Sequence, residues 1–545
     1  MKTEKIVGIF ITAIFLTVAF APMTGASMAS KTAEVTVEPG ISGEEIYQWG
    51  MDLTRFCPVI PGTVSMELAR DYVLNKLREF GLDAWVEPYN FWFTFYHDWG
   101  IRVLEPEEKS ITCYPQVQTG LGDVTAELVD VGKGKALDYK GKDVEGKIVL
   151  VNWGSIMTME LPCGLKKRYP QLATYDVAWT HGAAGLIGYF EGTPGNSLKV
   201  AEPGFKPTGG SNVPGAAEVG PNKQIMLPVL GIGRQDAMSL KSLINKGPVK
   251  VRLFLDGVKK VSTTWTVIGR LPGKTDDIIL VGSHLDTPFN GAVWDDISGV
   301  IGTLGIAKYF SQLGEREKTM LFVFDPSHVW VNCNQAGIMI MHNHPEWTRK
   351  MAAVLWLDNG SVPKFSTMIG EKVIEFPFYL DIGLMSANPI LWLITFIALV
   401  MNGRIPLALP ITTIWTMCMM GVFDRNGVPA VDLTGECAWG LTTEDTMDKF
   451  TPGEIGKWVN IWIDIASSVQ KIPGWILRAV DLPGPSLFGC GVLFHESETP
   501  DYPAGDGYLP EPSLPLYVGG YKKPVLILRT PEEKIAYMEA QIAAQ

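Results

Sequence analysis

The sequence is poor in charged residues, and basic ones are the scarcer kind. Aspartate, glutamate, lysine and arginine make up 19% of its 545 residues, and 46 basic side chains face 58 acidic ones, for a net charge of −12. Proteins that bind nucleic acid neutralise phosphates with clustered lysine and arginine. The sequence therefore predicts no nucleic-acid partner. Because apolar residues make up 46% of the chain, extended disorder is excluded as well.

Cysteine is also scarce, and its spacing excludes two kinds of site. None of the seven cysteines forms a C-x-x-C pair, so the chain has neither a zinc ribbon nor a thioredoxin-type redox motif. One or two disulfides are compatible with the count. The odd number leaves at least one thiol outside any pair within the chain.

The amino-terminal residues have the layout of a secretory signal. Lys2 and Lys5 precede an apolar stretch over residues 6–21, and small residues follow, with cleavage expected after Ala26 or Ala29. A slightly longer apolar run would span a bilayer, so an uncleaved anchor is the alternative. We assign residues 1–29 to a signal peptide and expect a secreted or extracellular protein.

The rest of the chain divides into four parts by its pattern. Residues 30–112 are mostly helical up to a stop at Gly81 and then extended. Residues 113–255 are short strands separated by glycine and proline, with one helix at 234–247. Residues 256–480 alternate strand and helix, which predicts an α/β sheet with parallel strands. Residues 481–545 form a tail of unknown role.

Acidic and imidazole side chains follow the predicted strands of the third part. His284, Asp325 and Asp358 each end an apolar run, His328 follows Asp325 closely, and Asp295 opens a helix. In α/β sheets, ligands bind beyond the carboxyl ends of the strands. We therefore expect these side chains to gather at one edge of the sheet, which apolar packing does not require.

Three of these residues make a metal-ligand set. His284, Asp295 and Asp358 offer one imidazole and two carboxylates, which suits zinc or a similar divalent ion. Asp286, two residues after His284, is placed to hold the imidazole by its other nitrogen. The alternative is that each is an ordinary polar residue of a strand-end loop. The four together favour a metal site.

The motifs around these residues resemble a known family. The stretch "SHLDTP...GAVWDDISGV" is similar to the H-x-D and D-N-x-S-G signatures of family 28 of the zinc metallopeptidases. "VLWLDNGS" resembles its "LDMIG" strand, and "GVPAVDL...LTTEDTMDKF" resembles its closing stretch. That family includes aminopeptidases, glutamate carboxypeptidase and the non-catalytic transferrin receptor. The resemblance implies a zinc-aminopeptidase-like mixed α/β sheet flanked by helices.

The β-rich part has a resemblance of its own. "DYKGKDVEGKIVLVNWG" and "THGAAGLIGYF" are similar to segments of protease-associated (PA) domains. The resemblance implies a small β-rich PA domain over residues 113–255, inserted into the peptidase-like domain. This part shows no catalytic constellation of its own.

The chain departs from the family pattern at three positions. Family members bind two metal ions bridged by the residue aligned with Asp295, and the residues aligned with His284 and Asp358 hold one of them. Where the family's glutamate pair should supply a general base and a ligand, this chain has Ser327 and His328. Where a late histidine should hold the second ion, it has Leu441.

These departures predict one metal ion, and they leave catalysis open. His328 is a candidate replacement ligand, and Asp325 is a candidate displaced base. In one hypothesis the chain is an exported exopeptidase-type hydrolase with impaired or altered catalysis and a peptide or protein ligand. In the alternative it is a non-catalytic pseudopeptidase used for binding or assembly.

One further stretch is almost wholly apolar. Residues 388–423 are broken by Gly403 and interrupted by Pro406 and Pro410, and neither half is a comfortable bilayer span. We expect two short helices packed on the α/β domain or on a second copy of the chain. Membrane insertion is the less favoured alternative.

Overall fold

The computed structural model describes twelve stretches of the chain. They are residues 36–37, 41–116, 119–154, 170–200, 227–289, 291–330, 335–360, 362–386, 388–404, 423–424, 427–435 and 437–481. The predicted signal peptide, nearly all of the predicted tail and the second predicted apolar helix lie outside these residues.

The described strands fall into a large sheet and small hairpins. The strands are β1 (Thr36–Val37), β2 (Ile41–Ser42), β3 (Asp83–Glu105), β4 (Lys109–Ile111), β5 (Cys113–Pro115), β6 (Gly122–Asp130), β7 (Ile148–Asn152), β8 (Gly185–Tyr189), β9 (Val229–Ile232), β10 (Lys250–Leu271), β11 (Thr275–His284), β12 (Lys318–Asp325), β13 (Met351–Trp356), β14 (Ser366–Ile369), β15 (Lys372–Glu375), β16 (Ile382–Met385) and β17 (Ala430–Thr434).

The described α-helices cover the faces of the large sheet. They are α1 (Gly43–Leu53), α2 (Val64–Glu79), α3 (Pro170–Thr180), α4 (Arg234–Ile244), α5 (Ser298–Gln312), α6 (Gln335–Asn343), α7 (Pro345–Lys350), α8 (Pro389–Met401), α9 (Pro452–Lys471) and α10 (Gly474–Val480). None of the helices in these stretches has the length and apolar character needed to cross a membrane.

Thirteen of the described strands form one mixed sheet. Its strand order is β16, β17, β13, β11, β12, β10, β6, β7, β8, β9, β5, with β3 on β10 and β4 on β3. Strand β11 is parallel to both β12 and β13, and β13 is parallel to β17. The predicted alternation of parallel strands and helices is therefore confirmed.

The central strands are apolar along their whole length because both faces are covered. Every residue of β12 and β13 is buried, as expected for parallel strands between two helical layers. On one face, α5 packs against α9, and the close approach depends on Gly302. A Cβ added there would lie 2.6 Å from the Trp458 ring and 2.9 Å from Leu357 Cδ2. Helix α9 itself starts at a Thr451 cap followed by Pro452, a normal helix beginning.

The β-rich part contains strands where the sequence predicts them. Strands β6 to β9 and the start of β10 match the five apolar runs, and α4 matches the predicted helix. Helix α3 lies among them and was not expected. Strands β3 and β10 are 23 and 22 residues long and pair with each other almost throughout. The predicted boundary between residues 255 and 256 falls inside β10, so the sheet is continuous there.

Helix α8 is the described half of the apolar stretch. Its cap is Asn388, which accepts a hydrogen bond from the N–H of Leu391. One face packs on α9 and α10, where Asn402 donates to Asp464 at 2.7 Å. The helix ends before Gly403, whose φ is 70°, at the turn that the sequence predicts.

Candidate metal centre

The predicted site residues meet at the carboxyl ends of β11, β12 and β13. His284 is the last residue of β11 and lies in register with Asp325, the last residue of β12. Asp358 follows β13 by two residues, and His328 follows β12 by three. Asp295 lies in the turn Val293–Ile297 before α5, and the peptide bond that follows it is cis.

Four of these side chains converge on a small volume. His284 Nε2 lies 2.7 Å from Asp295 Oδ1 and 3.5 Å from Asp358 Oδ1. The rings of His284 and His328 stack with centroids 4.2 Å apart, and His328 Nε2 lies 3.5 Å from Asp358 Oδ2. Ligand atoms of His284, His328 and Asp358 all lie within 4.8 Å of one another. The replacement ligand that the sequence suggested, His328, therefore lies inside the cluster.

The Nε2 atom of His284 has no hydrogen bond although it is completely buried. Its short approach to Asp295 does not have hydrogen-bonding geometry. A buried polar atom whose contacts lack hydrogen-bonding geometry is costly. A cation placed between the imidazole and the carboxylates would satisfy it, so the donor atoms and their spacing fit a metal ion.

Asp286 ties the two histidine-bearing loops together. Its Oδ1 accepts a hydrogen bond from the N–H of His328 at 2.9 Å, and its Oδ2 accepts from Val329 and Trp330 at 2.8 and 3.1 Å. His284 Nδ1 lies 3.3 Å from Asp286 Oδ1 and 3.0 Å from the Asp286 carbonyl oxygen. The carboxylate thus lies beside the His284 imidazole and holds the loop that carries His328, while the orienting role suggested for it stays a prediction.

Asp358 is fixed by its own neighbours. Asn359 donates to Asp358 Oδ1 at 2.7 Å, and the indole of Trp356 donates to Oδ2 at 3.4 Å. Burial raises the pKa of Asp358, but the charges of His328 and His284 outweigh it and lower the pKa to about 2. The carboxylate is therefore ionised and available as a ligand over the physiological pH range.

The centre is rich in negative charge. Burial opposes protonation of His284, yet the carboxylates around it, with Asp296 the strongest, raise its pKa well above its ordinary value. Burial also raises the pKa of Asp296 and Asp432 far above the usual range. These shifts have one origin, because several carboxylates are buried together in a small volume. Such a site attracts a divalent cation.

Three carboxylates near the centre received no role from the sequence. Asp296 accepts from the N–H groups of His284 and Gly299, joining the end of β11 to the start of α5. Asp432 accepts from the N–H of Asp358 at 3.4 Å. Asp445 accepts from the N–H of Trp294, at 2.9 Å to Oδ1 and 3.0 Å to Oδ2. Asp445 lies within the "LTTEDT" stretch that the resemblance identified, which was the available signal.

Asp325 holds its own loop. Its Oδ1 accepts hydrogen bonds from the N–H and the hydroxyl of Ser327, and its Oδ2 accepts from the N–H of Ala336. Burial and the Asp286 charge raise its pKa to about 7. The carboxyl is buried, so its geometry gives it a structural task, and the base role suggested for it stays a prediction.

Leu441 stands at the position of the expected late histidine, and its backbone contacts the β-rich part. Leu441 is buried, has a φ of 58°, and accepts a hydrogen bond from the N–H of Val200 through its carbonyl. Its side chain offers no ligand atom. The described geometry thus brings together His284, His328, Asp295 and Asp358, with no ligand from residue 441.

Comparison with solved structures establishes the fold. A zinc aminopeptidase from Bacillus subtilis superposes with a TM-score of 0.59 at 16% identity, covering 79% of this chain and 97% of that chain. A peptidase M28 precursor from Shewanella amazonensis gives 0.56 at 17% identity, covering 80% and 96%. The zinc-aminopeptidase-like fold predicted from the motifs is therefore confirmed.

Curated relatives match parts of the chain. A probable leucine aminopeptidase 2 of Aspergillus oryzae is 28% identical over 251 residues, which are 44% of this chain and 43% of the relative. An aminopeptidase of Pseudomonas aeruginosa is 24% identical over 334 residues, 56% of this chain and 54% of the relative. The chain thus spans about half the length of these relatives. No family model matches it.

Proposed function

We propose that this chain is a family 28 metallopeptidase-like protein that binds one divalent ion, zinc, and has impaired hydrolytic activity. The observation that carries the proposal is the convergence of two stacked imidazoles and Asp358 around the unsatisfied Nε2 of His284. The aminopeptidase names of its relatives support the class of reaction. The predicted signal at residues 1–29 supports export.

The proposed ligands are His284, His328, Asp295 and Asp358. Imidazole and carboxylate donors suit zinc, while two histidines with one carboxylate also suit other divalent ions. When bound, the ion would polarise a substrate carbonyl and activate water. Asp286 would keep His284 and the His328 loop in place by the contacts described above.

The position that aligns with the family's general base carries a residue that cannot take a proton from water. Ser327, which aligns with the family's general base, donates its hydroxyl to Asp325 at 3.0 Å. A serine hydroxyl cannot act as a base at neutral pH. A general base contributes ~10² to 10⁴ in rate, or about 3 to 5 kcal/mol of barrier. The loss of the second ion would remove a further electrostatic contribution.

We therefore expect turnover near background on aminoacyl and glutamyl substrates. The test combines metal analysis of the purified protein with a panel of aminopeptidase and carboxypeptidase substrates, each assayed with and without chelator. The same background should be measured for His284→Ala. Robust hydrolysis that chelator inhibits and His284→Ala abolishes would refute impaired catalysis and identify a working hydrolase.

A non-catalytic role is the second candidate, and the burial of the centre favours it. The exposed fraction is 0% for His284, 1% for His328 and 5% for Asp358. A peptide would have to displace covering residues before it reached these atoms. In this case, zinc should raise the melting temperature, as a ligand of the folded state does. No substrate of the panel should be hydrolysed above background.

The surface of α8 suggests a partner. Its outer face exposes Leu393, Ile397, Val400 and Met401 by 44, 46, 50 and 74%, and their spacing places them on one stripe. The net charge of −12 disfavours an anionic membrane surface. Contiguous apolar surface is typical of homo-oligomer interfaces, so we propose that this stripe contacts a second copy of the chain.

Charging this stripe should dissociate the oligomer. We expect the wild type to elute as a dimer or larger, and Leu393→Glu with Ile397→Glu to give a monomer by light scattering. Leu137→Glu, at a residue 84% exposed in the β-rich part, is the matched control and should leave the mass unchanged. A wild type that is already monomeric at high concentration would contradict the proposal, as would binding to liposomes that Leu393→Glu abolishes.

A further inference from the structure

We propose that Lys199, contributed by the β-rich part, supplies a fixed positive charge beside the metal centre. It would take the electrostatic place of the second ion that the resembling two-metal peptidases hold. The inference rests on the proposed one-metal site, and it adds to that site a positioning residue from a distant part of the sequence.

Lys199 is buried at the segment that replaces the late histidine. Its exposed fraction is 4%, and its ammonium donates a hydrogen bond to the Gly440 carbonyl at 2.7 Å. Its backbone forms an antiparallel bridge with Thr442. The ammonium is therefore anchored one residue from Leu441, the position that offers no ligand.

Backbone pairing fixes Lys199 from both sides. Leu198 and Thr443 exchange hydrogen bonds, with N–H of Leu198 to Thr443 Oγ1 at 3.2 Å and N–H of Thr443 to the Leu198 carbonyl at 3.0 Å. Gln116 donates its side-chain amide to the Lys199 carbonyl at 3.0 Å. A lysine held by its own backbone in this way loses little further freedom when its ammonium is placed.

Gly440 connects the ammonium to the turn that carries Asp295. A Cβ added to Gly440 would lie 2.5 Å from the Trp294 ring, so the segment rests directly on the residue before Asp295. Asp445 binds the N–H of Trp294 from the same segment. Burial raises the pKa of Asp445 to about 7, against the lowering effects of backbone N–H groups and the Lys199 charge.

The charges of the centre call for such a cation. Seven carboxylates around it are at most 5% exposed: Asp286, Asp295, Asp296, Asp325, Asp358, Asp432 and Asp445. In the described stretches, the buried lysines and arginines are Lys199, Lys318 and Arg404. Lys318 starts β12 at the opposite edge and binds the Gln470 carbonyl, and Arg404 faces Asp381. Of these three, Lys199 is the one that borders the centre, because its ammonium is anchored at Gly440 and its charge acts on Asp445.

The test measures zinc affinity of the full-length protein by competition with a chromophoric chelator. Removing a positive charge beside a cation site should strengthen binding of the cation. We expect Lys199→Met to bind zinc about tenfold more tightly, because like charges repel each other through an effective dielectric constant near 20. Lys199→Arg should keep the wild-type affinity. Lys318→Met, which removes a buried lysine elsewhere, should leave it unchanged.

If Lys199 had only a packing role, its loss would weaken zinc binding or leave the affinity unaltered. An affinity within twofold of wild type, or lower, in Lys199→Met would overturn the inference. Should that variant not fold, Lys199→Gln removes the same charge and keeps a donor for the Gly440 carbonyl. If the wild type takes up no zinc, the proposed metal site fails. The Lys199 inference then stands only if Lys199→Met acquires binding.

Discussion

Replacement of His284 with alanine should lower the affinity of the chain for zinc by more than about a hundredfold. Losing a residue that merely orients a ligand costs ~10 to 100-fold in metal affinity, and His284 is proposed as a ligand itself. Its Nε2 faces both Asp295 and Asp358, so its removal takes a donor from the middle of the set. Chelator competition, with metal content measured on the dialysed protein, gives the change.

The matched control is His344→Ala. Like His284, His344 pairs with a carboxylate, Glu87 at 2.6 Å, and stacks on a ring, that of Trp347. Unlike His284, it is the N-cap residue of α7, away from the centre. Its variant should bind zinc as the wild type does. Equal losses in both variants would indicate general destabilisation, and an affinity of His284→Ala within threefold of wild type would remove His284 from the ligand set.

The Asp286→Ala substitution should lower the free energy of unfolding by about 3 to 5 kcal/mol. The carboxylate accepts three backbone N–H groups, from His328, Val329 and Trp330, and is completely buried. Each buried donor left without an acceptor costs ~1 to 3 kcal/mol, and the alanine side chain accepts none. Denaturant unfolding in the presence of chelator measures the change without a contribution from metal.

Two further variants separate this effect from simple charge loss. Asp123→Ala removes an acid that is paired with Arg252 at the surface, and it should change stability little because exposed pairs contribute little. Asp286→Asn keeps one oxygen acceptor in place and should fall between wild type and alanine. A free energy of unfolding within ~1 kcal/mol of wild type for Asp286→Ala would mean that other groups hold the loop.

The sequence was sufficient to predict the strands and helices of the α/β part and the edge of the sheet at which the site forms. His284, Asp358 and Asp295 follow predicted strands or open a predicted helix, and parallel strands bring their carboxyl ends together. Their convergence could therefore be expected without knowledge of the fold. His328 could be named only as a candidate, because a residue three positions past a strand can turn either way.

The supporting residues could not be placed in the same manner. Asp445 reaches the N–H of Trp294 across 151 residues, and Lys199 reaches Gly440 across 241 residues. Apolar periodicity reports whether a segment is buried, but it carries no information about which distant loop lies beside it. The continuity of β10 across the predicted boundary was missed for a related reason, because turn signals mark local breaks and not sheet partners.

The pairing of β3 with β10 also sets the order in which strands of the large sheet can pair during synthesis. Their register joins Glu105 to Lys250 and Asp83 to Arg270, so roughly 140 residues must leave the ribosome between the two strands, about 7 to 30 s at usual elongation rates. Throughout that interval most of the aromatic-rich β3 lacks its β10 partner, since β4 pairs only with Ile101–Val103, and a long unpaired edge is the kind of segment that aggregates. The β-rich part is made within this interval, and β6 also pairs with β10. Its early folding would give β10 a partner already in place, to which β3 is then added.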